Sequence, residues 1–267
     1  MKRNNDISTK GLKVLGGYLA PCCAFAMTLP CCAAIIVSDP LNGAGTDDLN
    51  GRLAVVSQGV LDAGGNAAWV ANTSFKSDGS LVFPTGSGVA RLSLGDYIWN
   101  ARGTESGLFT LTSTIAVTSG NWISVGFFRS EVSTTSYFSN GEPGPGMATA
   151  ILRSTDVINY YPGKGVAGNT SPGSAAGPVT FTITLDLRSW NGTTNFGTVK
   201  FLNDKVGTER TANLPDDEDL NPFLYVGFSG LSSPNGSISN FSLSQVPEPS
   251  LILLLSALPL MGFRRSR

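Results

Sequence analysis

The chain has 267 residues, 18 Lys plus Arg against 19 Asp plus Glu, a formal net charge of −1, 32 glycines and no histidine. A near-neutral chain with no concentrated basic stretch argues against nucleic acid as a partner, because phosphate binding needs a basic face. Without histidine the commonest metal ligand and the usual neutral-pH proton shuttle are missing, which excludes most triad-based hydrolytic mechanisms.

Lys2, Arg3, Lys10 and Lys13 precede an apolar stretch from Val14 towards Val37. This charge-then-apolar order predicts a secretory signal peptide over residues 1–34, with small residues suited to cleavage at Ala26 or Ala34. An uncleaved signal anchor is the alternative. All four cysteines, Cys22, Cys23, Cys31 and Cys32, fall in this segment. Their paired spacing suggests zinc or disulfide chemistry, but their place in a removable or embedded segment speaks against both. Pro21 and Pro30 stand where a lipoprotein signal needs a small residue.

After Val37 the chain turns polar through SDPLNGAGTDDLNGR, which reads as loop and turns. Asp39, Asp47, Asp48 and Asn50 supply oxygens of the kind calcium takes, although their spacing fits no EF-hand loop. From Leu53 the pattern is strand after strand: VARLSL, LFTLTSTIAV, WISVGFF, ATAILR, VINYY, VTFTITLDL, GTVKFL, FLYVGF and ISNFSLS are short, β-branched or aromatic, and divided by turn residues. No segment reads as an amphipathic helix. Val179, Phe181, Ile183, Leu185 and Leu187 alternate with Thr180, Thr182, Thr184, Asp186 and Arg188. Phe109, Leu111, Ile115 and Val117 repeat that period of two, which marks strands with one dry face. Two such sheets must cover one another, so residues 35–245 are expected to form an all-β, two-sheet β-sandwich of jelly-roll type.

The order of these pieces, from Trp69 and SDGSLVFP through VTFTITLDLRSWNG and GTVKFLNDK to FLYVGFSGLSSPNGSISNFSLS, resembles the concanavalin A-like lectin and laminin G sandwich. That resemblance implies carbohydrate or matrix binding on a sheet face or at an edge-loop calcium site. Exposed aromatics are the usual platform for sugar rings. Trp99 in DYIWNARG and Trp190 in RSWNGTTN sit beside turn residues and are the better candidates, with Tyr97 and Tyr137 beside them. Trp69 and Trp122 lie inside strands and read as core. A glycosidase on this framework needs paired carboxylates. The dense acidic run here, Asp216-Asp217-Glu218-Asp219, lies in a proline-flanked loop, while Glu105, Glu131 and Glu142 are isolated. The expectation is therefore a binding protein without catalytic activity. Asn-x-Ser/Thr triplets at Asn72, Asn169, Asn191, Asn235 and Asn240 read as turn and strand chemistry.

Residues 246–267 hold Val246-Pro247-Glu248-Pro249, an apolar run from Leu251 to Phe263, and Arg264, Arg265 and Arg267. The prolines keep the lead extended. The 13-residue run at ~1.5 Å per residue spans about 20 Å of a ~30 Å hydrocarbon core, so it makes a short, marginal anchor helix. The arginines favour the cytoplasmic side. These three ordered features resemble the PEP-CTERM sorting signal of Gram-negative exported proteins. The resemblance implies an exosortase that recognises the Pro-Glu-Pro motif and removes the tail. Its further implications are transient inner-membrane anchoring, delivery to the cell surface or extracellular matrix, and contact with exopolysaccharide. A structural or adhesive matrix component without a defined ligand is the rival expectation, and a glycan-active hydrolase a weaker one.

Overall fold

The structure is a computed structural model that describes residues 33–41, 48–56, 58–66, 68–71, 75–77, 81–82, 88–120, 122–128, 147–162, 169–174, 176–214, 224–231 and 235–245. The signal segment up to residue 32, Asp47, Tyr137, Glu131, Glu142, the Asp216–Asp219 run and the tail from Val246 lie outside the described residues. The chain divides into units Met1–Pro30 and Cys31–Arg267, and every described residue belongs to the second.

The described residues form an all-β sandwich of two antiparallel sheets. In chain order the strands are β1 (Ala34–Asp39), β2 (Val55–Val56), β3 (Val70–Ala71), β4 (Lys76–Ser77), β5 (Leu81–Val82) and β6 (Gly88–Ser93). They continue with β7 (Leu108–Ser119), β8 (Trp122–Phe128), β9 (Met147–Arg153), β10 (Val157–Tyr161) and β11 (Asn169–Ser174). The last are β12 (Val179–Asp186), β13 (Thr198–Asn203), β14 (Arg210–Asn213), β15 (Tyr225–Leu231) and β16 (Asn235–Gln245). One sheet runs β14-β13-β12-β7-β16-β1-β2, with β5 also paired to β16 and β4 to β5; the other runs β11-β10-β9-β8-β15-β6-β3. Among the described residues two five-residue helices, α1 (Gln58–Asp62) and α2 (Tyr97–Ala101), interrupt the strands. Neither is long enough to show a helical hydrophobic period, so the sequence pattern passes over them.

The alternation read from β7 and β12 is the alternation observed. Phe109, Leu111, Ile115, Val179, Phe181, Ile183 and Leu185 are buried, while Thr110, Thr112, Thr114, Thr180, Thr182 and Thr184 are half-buried. On that outer face Thr114 pairs with Thr180 through their hydroxyls at 3.0 Å. Trp69 and Trp122 are both buried, in line with their strand positions; Trp69 sits in the core between Phe228 and Phe241 with ring centroids 5.2 and 5.1 Å away, and Trp122 in a separate cluster.

The second sheet departs from the one-wet-face expectation. Every residue of β8 is buried, and the residues that point away from the sandwich core gather in two clusters of their own, Val89 with Phe128, and Trp122 with Ile151 and Tyr161. Gly126 and Gly227 face each other across β8 and β15. A Cβ on Gly227 would lie 2.1 Å from the Ala90 carbonyl oxygen, so strand packing there admits nothing larger.

The first and last strands of the sandwich are neighbours. β1 pairs antiparallel with β16, and Ala34 stands opposite Gln245. β1 reaches Asp39, so the polar loop expected from Ser38 starts later than the composition suggests.

Candidate functional site

Three of the aromatic candidates, Tyr97, Trp99 and Trp190, lie on α2 or against it. β6 ends at Ser93, and Gly95 follows with φ of +54°, a backbone region that favours glycine. A Cβ there would stand 1.9 Å from the Ala63 carbonyl oxygen, so the turn fits only because position 95 has no side chain. Asp96 then donates its N–H to Ala63 O at 2.8 Å, tying the end of α1 to the start of α2. Ile98 and Ala101 bury the inner side of α2 in the core. Its remaining side chains, Tyr97, Trp99 and Asn100, are thereby held half-buried or exposed on a fixed support.

Trp99 faces the loop that follows β12. Its ring centroid is 5.8 Å from that of Trp190 at an interplanar angle of 71°, and Trp190 in turn meets Phe196 edge-on at 5.3 Å and 87°. The Arg102 guanidinium lies 3.1 Å from the Trp99 centroid and 6.0 Å from that of Trp190. Arg102 also donates to the Trp99 carbonyl at 3.0 Å. Partial burial lowers the Arg102 pKa from its ordinary value, yet a guanidinium remains charged at any physiological pH. Trp99, Arg102 and Trp190 thus form a half-buried cation–π ridge.

The loop carrying Trp190 is shaped by its own asparagines. Asn191 Oδ1 accepts N–H bonds from Thr193, Thr194 and Asn195 at 3.0, 3.0 and 2.9 Å, and Asn195 Oδ1 accepts from Gly197 at 2.9 Å. The Asn-Gly-Thr triplet at Asn191 is therefore turn chemistry, as read from the sequence. Gly103 N donates to Leu187 O at 2.8 Å and joins this loop to the end of α2. At the base of the loop Arg188 grips Asp186 through two contacts, Nε to Oδ1 at 3.0 Å and Nη2 to Oδ2 at 2.7 Å. That side-chain bonding holds the Asp186 carboxyl below its usual range, against a partial opposing effect of burial.

Tyr97 faces the opposite way, into an open cleft of about 560 Å³ lined by Gly59, Asp62, Ala63, Tyr97, Asn100, Ala101, Ser106 and Gln245. The Tyr97 hydroxyl donates to Gln245 Oε1 at 2.5 Å, and Gln245 Nε2 donates to Ser106 O at 2.8 Å. The Tyr97 ring meets Phe109 edge-on at 6.3 Å. Arg102 and the cleft residues Asp62, Asn100, Ser106 and Gln245 escaped the sequence reading. Arg102 was detectable as the cation that follows IWNA, but nothing local marks the others.

Asp39 is engaged structurally. Its Oδ1 accepts from Arg52 Nη2 at 2.6 Å and Leu41 N at 2.8 Å, and its Oδ2 accepts from the Trp69 indole at 2.7 Å. Asn50 Oδ1 accepts from Ala71 N at 3.1 Å. Among the described residues no group of three or more His, Cys, Asp or Glu stands together as a metal site, Asp48 included. Among them, too, no helix is long and apolar enough to cross a membrane.

No protein-family model matches the chain, and neither does any curated protein sequence. Similar solved structures include arcelin-5, a lectin-like defense protein from Phaseolus vulgaris, at 12% identity and TM-score 0.40, covering 66% of this chain and 91% of that one. The alginate lyase Aly36B has 14% identity and TM-score 0.45, over 80% of this chain and 97% of its own. Trypanosoma rangeli sialidase has 13% identity and TM-score 0.48, over 85% of this chain and 33% of its own. Lectin-like proteins and glycan-active enzymes stand side by side among these neighbours, and at such scores they carry no argument about activity.

Proposed function

We propose that this chain is an exported, non-enzymatic glycan-binding protein whose aromatic ridge at α2 holds a polysaccharide at the cell surface or in the extracellular matrix. The observation that carries the reading is the ridge itself. Trp99 and Trp190 come from distant parts of the chain, are partly open to solvent, and flank a guanidinium. Indole faces stack on the C–H faces of sugar rings, and a guanidinium supplies planar donors to ring substituents. A buried helix face on one side and an asparagine-shaped loop on the other hold these groups in place, which lowers the ordering cost of binding.

The tail gives this proposal its address. Val246-Pro247-Glu248-Pro249 follows directly on the last strand, before the Leu-rich run and Arg264, Arg265 and Arg267. In the proposal, export machinery and an exosortase-type enzyme act on these ends, and the tail anchors the chain transiently in the inner membrane. Affinity electrophoresis of the full chain through gels containing polysaccharides tests binding, with Trp99→Ala and Trp190→Ala as controls. Retardation that both variants lose supports the ridge; wild-type migration unaffected by every polysaccharide refutes it. Release of new reducing ends or unsaturated products would refute the non-enzymatic part. Mass spectrometry of both chain ends from envelope fractions tests the address, which an intact C-terminus at Arg267 would overturn.

The edge-on stack of Trp190 on Phe196 favours a second reading, in which the ridge only staples two loops. In that case the variants lose stability without any loss of retardation.

A further inference from the structure

We infer that the exposed apolar corner formed by β1, β2 and α1 rests against the surface of a lipid bilayer while the tail holds the chain there. This rests on the anchoring reading of the tail above and adds a contact made by the folded body itself.

Isolated exposed apolar side chains are ordinary on a protein surface; here they are gathered. Among the described residues the exposed large hydrophobics are Ile35, Leu53, Val55, Leu61 and Leu202. The first four lie on β1, on or beside β2, and on α1. Register puts three of them on one face. Ala54 is buried between Leu53 and Val55, so both of these point out of the sandwich. Val55 stands opposite Ser38, which pairs with Ser242, and Ile35 stands opposite Ser244. Val37 and Leu243, paired between these levels, are buried. Ile35, Val55 and Leu53 therefore form a stripe on the outer face of the nine-stranded sheet, about 14 Å long at ~3.4 Å per residue, with the uncharged Ser38, Ser242 and Ser244 beside it. Leu61 belongs to the Gln245 end of this edge, because Gly59 of the same helix lines a cleft with Gln245.

The occupant follows from where the chain leaves the sheet. Ala34 stands opposite Gln245, so Ile35 is one residue from the pair where the apolar N-terminal stretch enters the sheet and the tail departs. Leu251, the first residue of the apolar run, is six residues after Gln245, at most about 22 Å of extended chain. With that run in a bilayer, the Gln245 end of the corner stays within about that distance of the lipid. So short a tether gives the patch an effective concentration on the order of millimolar, at which a few shallowly inserted side chains hold although they bind weakly alone. A second copy fits less well. A stable interface covers ~800 Å² on each partner, more than four side chains supply, and the two residues of β2 make a short edge for strand pairing.

The test is hydroxyl-radical footprinting of the full chain in solution and after flotation with uncharged phosphatidylcholine vesicles, with Leu202 on β13 as the internal reference. The expected result is a several-fold drop in oxidation of Ile35, Leu53, Val55 and Leu61 on vesicles, with Leu202 unchanged. A second arm repeats this with the tail disabled by Leu253→Asp and Leu255→Asp. Wild-type chain that floats with the four residues oxidised as in solution would overturn the inference and leave the tail's anchoring role standing. A tail-disabled chain that floats and keeps the protection would support the patch and refute that role. Equal protection of Leu202, or a chain that does not float, would overturn the inference. So would protection in solution that grows with protein concentration, which would assign the corner to a second copy.

Discussion

Trp190→Ala separates a binding ridge from a loop staple. Removing a fully buried tryptophan costs about 3–5 kcal/mol. Trp190 is half-buried, so about half of that applies. The edge-on contacts to Trp99 and Phe196 each contribute about 0.5–1.5 kcal/mol and overlap with the burial share. The expected loss of stability is therefore about 2–3 kcal/mol, read from the midpoint of urea denaturation at constant slope. For binding, an aromatic anchor at the centre of a contact contributes about 2 kcal/mol or more, which corresponds to roughly 30-fold in Kd. Trp190→Phe keeps an edge contact and part of the platform, so it should fall between wild type and Trp190→Ala in both assays. Unchanged affinity in a folded but destabilised Trp190→Ala protein would refute the binding role. A stability change below about 1 kcal/mol would refute the packing reasoning.

Four further substitutions have outcomes set by the described contacts. Asp39→Ala strands the Arg52 guanidinium and the Trp69 indole N–H; breaking a buried pair costs about 3–5 kcal/mol, and with Arg52 24% exposed the low end of that range is expected in chemical denaturation. Tyr160 is 2% exposed, and burial pushes its hydroxyl pKa up, partly offset by the hydrogen bond from Asn203 Nδ2 at 2.7 Å. A raised folded pKa means that this contribution is intact below about pH 10 and is lost as pH rises through the folded value. Tyr160→Phe should therefore show a shallower alkaline loss of stability in a pH series of denaturation curves. Gly227→Ala places a methyl 2.1 Å from the Ala90 carbonyl oxygen and should cost about 3 kcal/mol or more. Gly177→Ala, with φ of +81° and nothing within 4 Å, should cost only about 1–2 kcal/mol, both read by chemical denaturation.

Asp39 shows what a residue type in a sequence context leaves open about a site. Beside Asp47, Asp48 and Asn50 it reads as one of several calcium-type oxygens, because composition reports only what a side chain offers. The structure shows which groups take up that offer: Asp39 ends β1, and its two oxygens are occupied by Arg52, Trp69 and a backbone N–H. The aromatic candidates illustrate the converse. Trp99 and Trp190 were legible as partly exposed because turn residues flank them, whereas Tyr97 turns to the far side of α2 and lines the cleft.

What the sequence determined by itself is the all-β class, the inward faces of β7 and β12 and the burial of Trp69 and Trp122. Each of these depends on a residue's own strand, whose pleat sends alternate side chains to opposite faces. Only the tertiary structure decided that Trp99 meets Trp190, that Gln245 closes on Tyr97, and that the outward side of the seven-stranded sheet is buried as well. These contacts join segments far apart in the chain, and sheet order, which no local period encodes, brings them together.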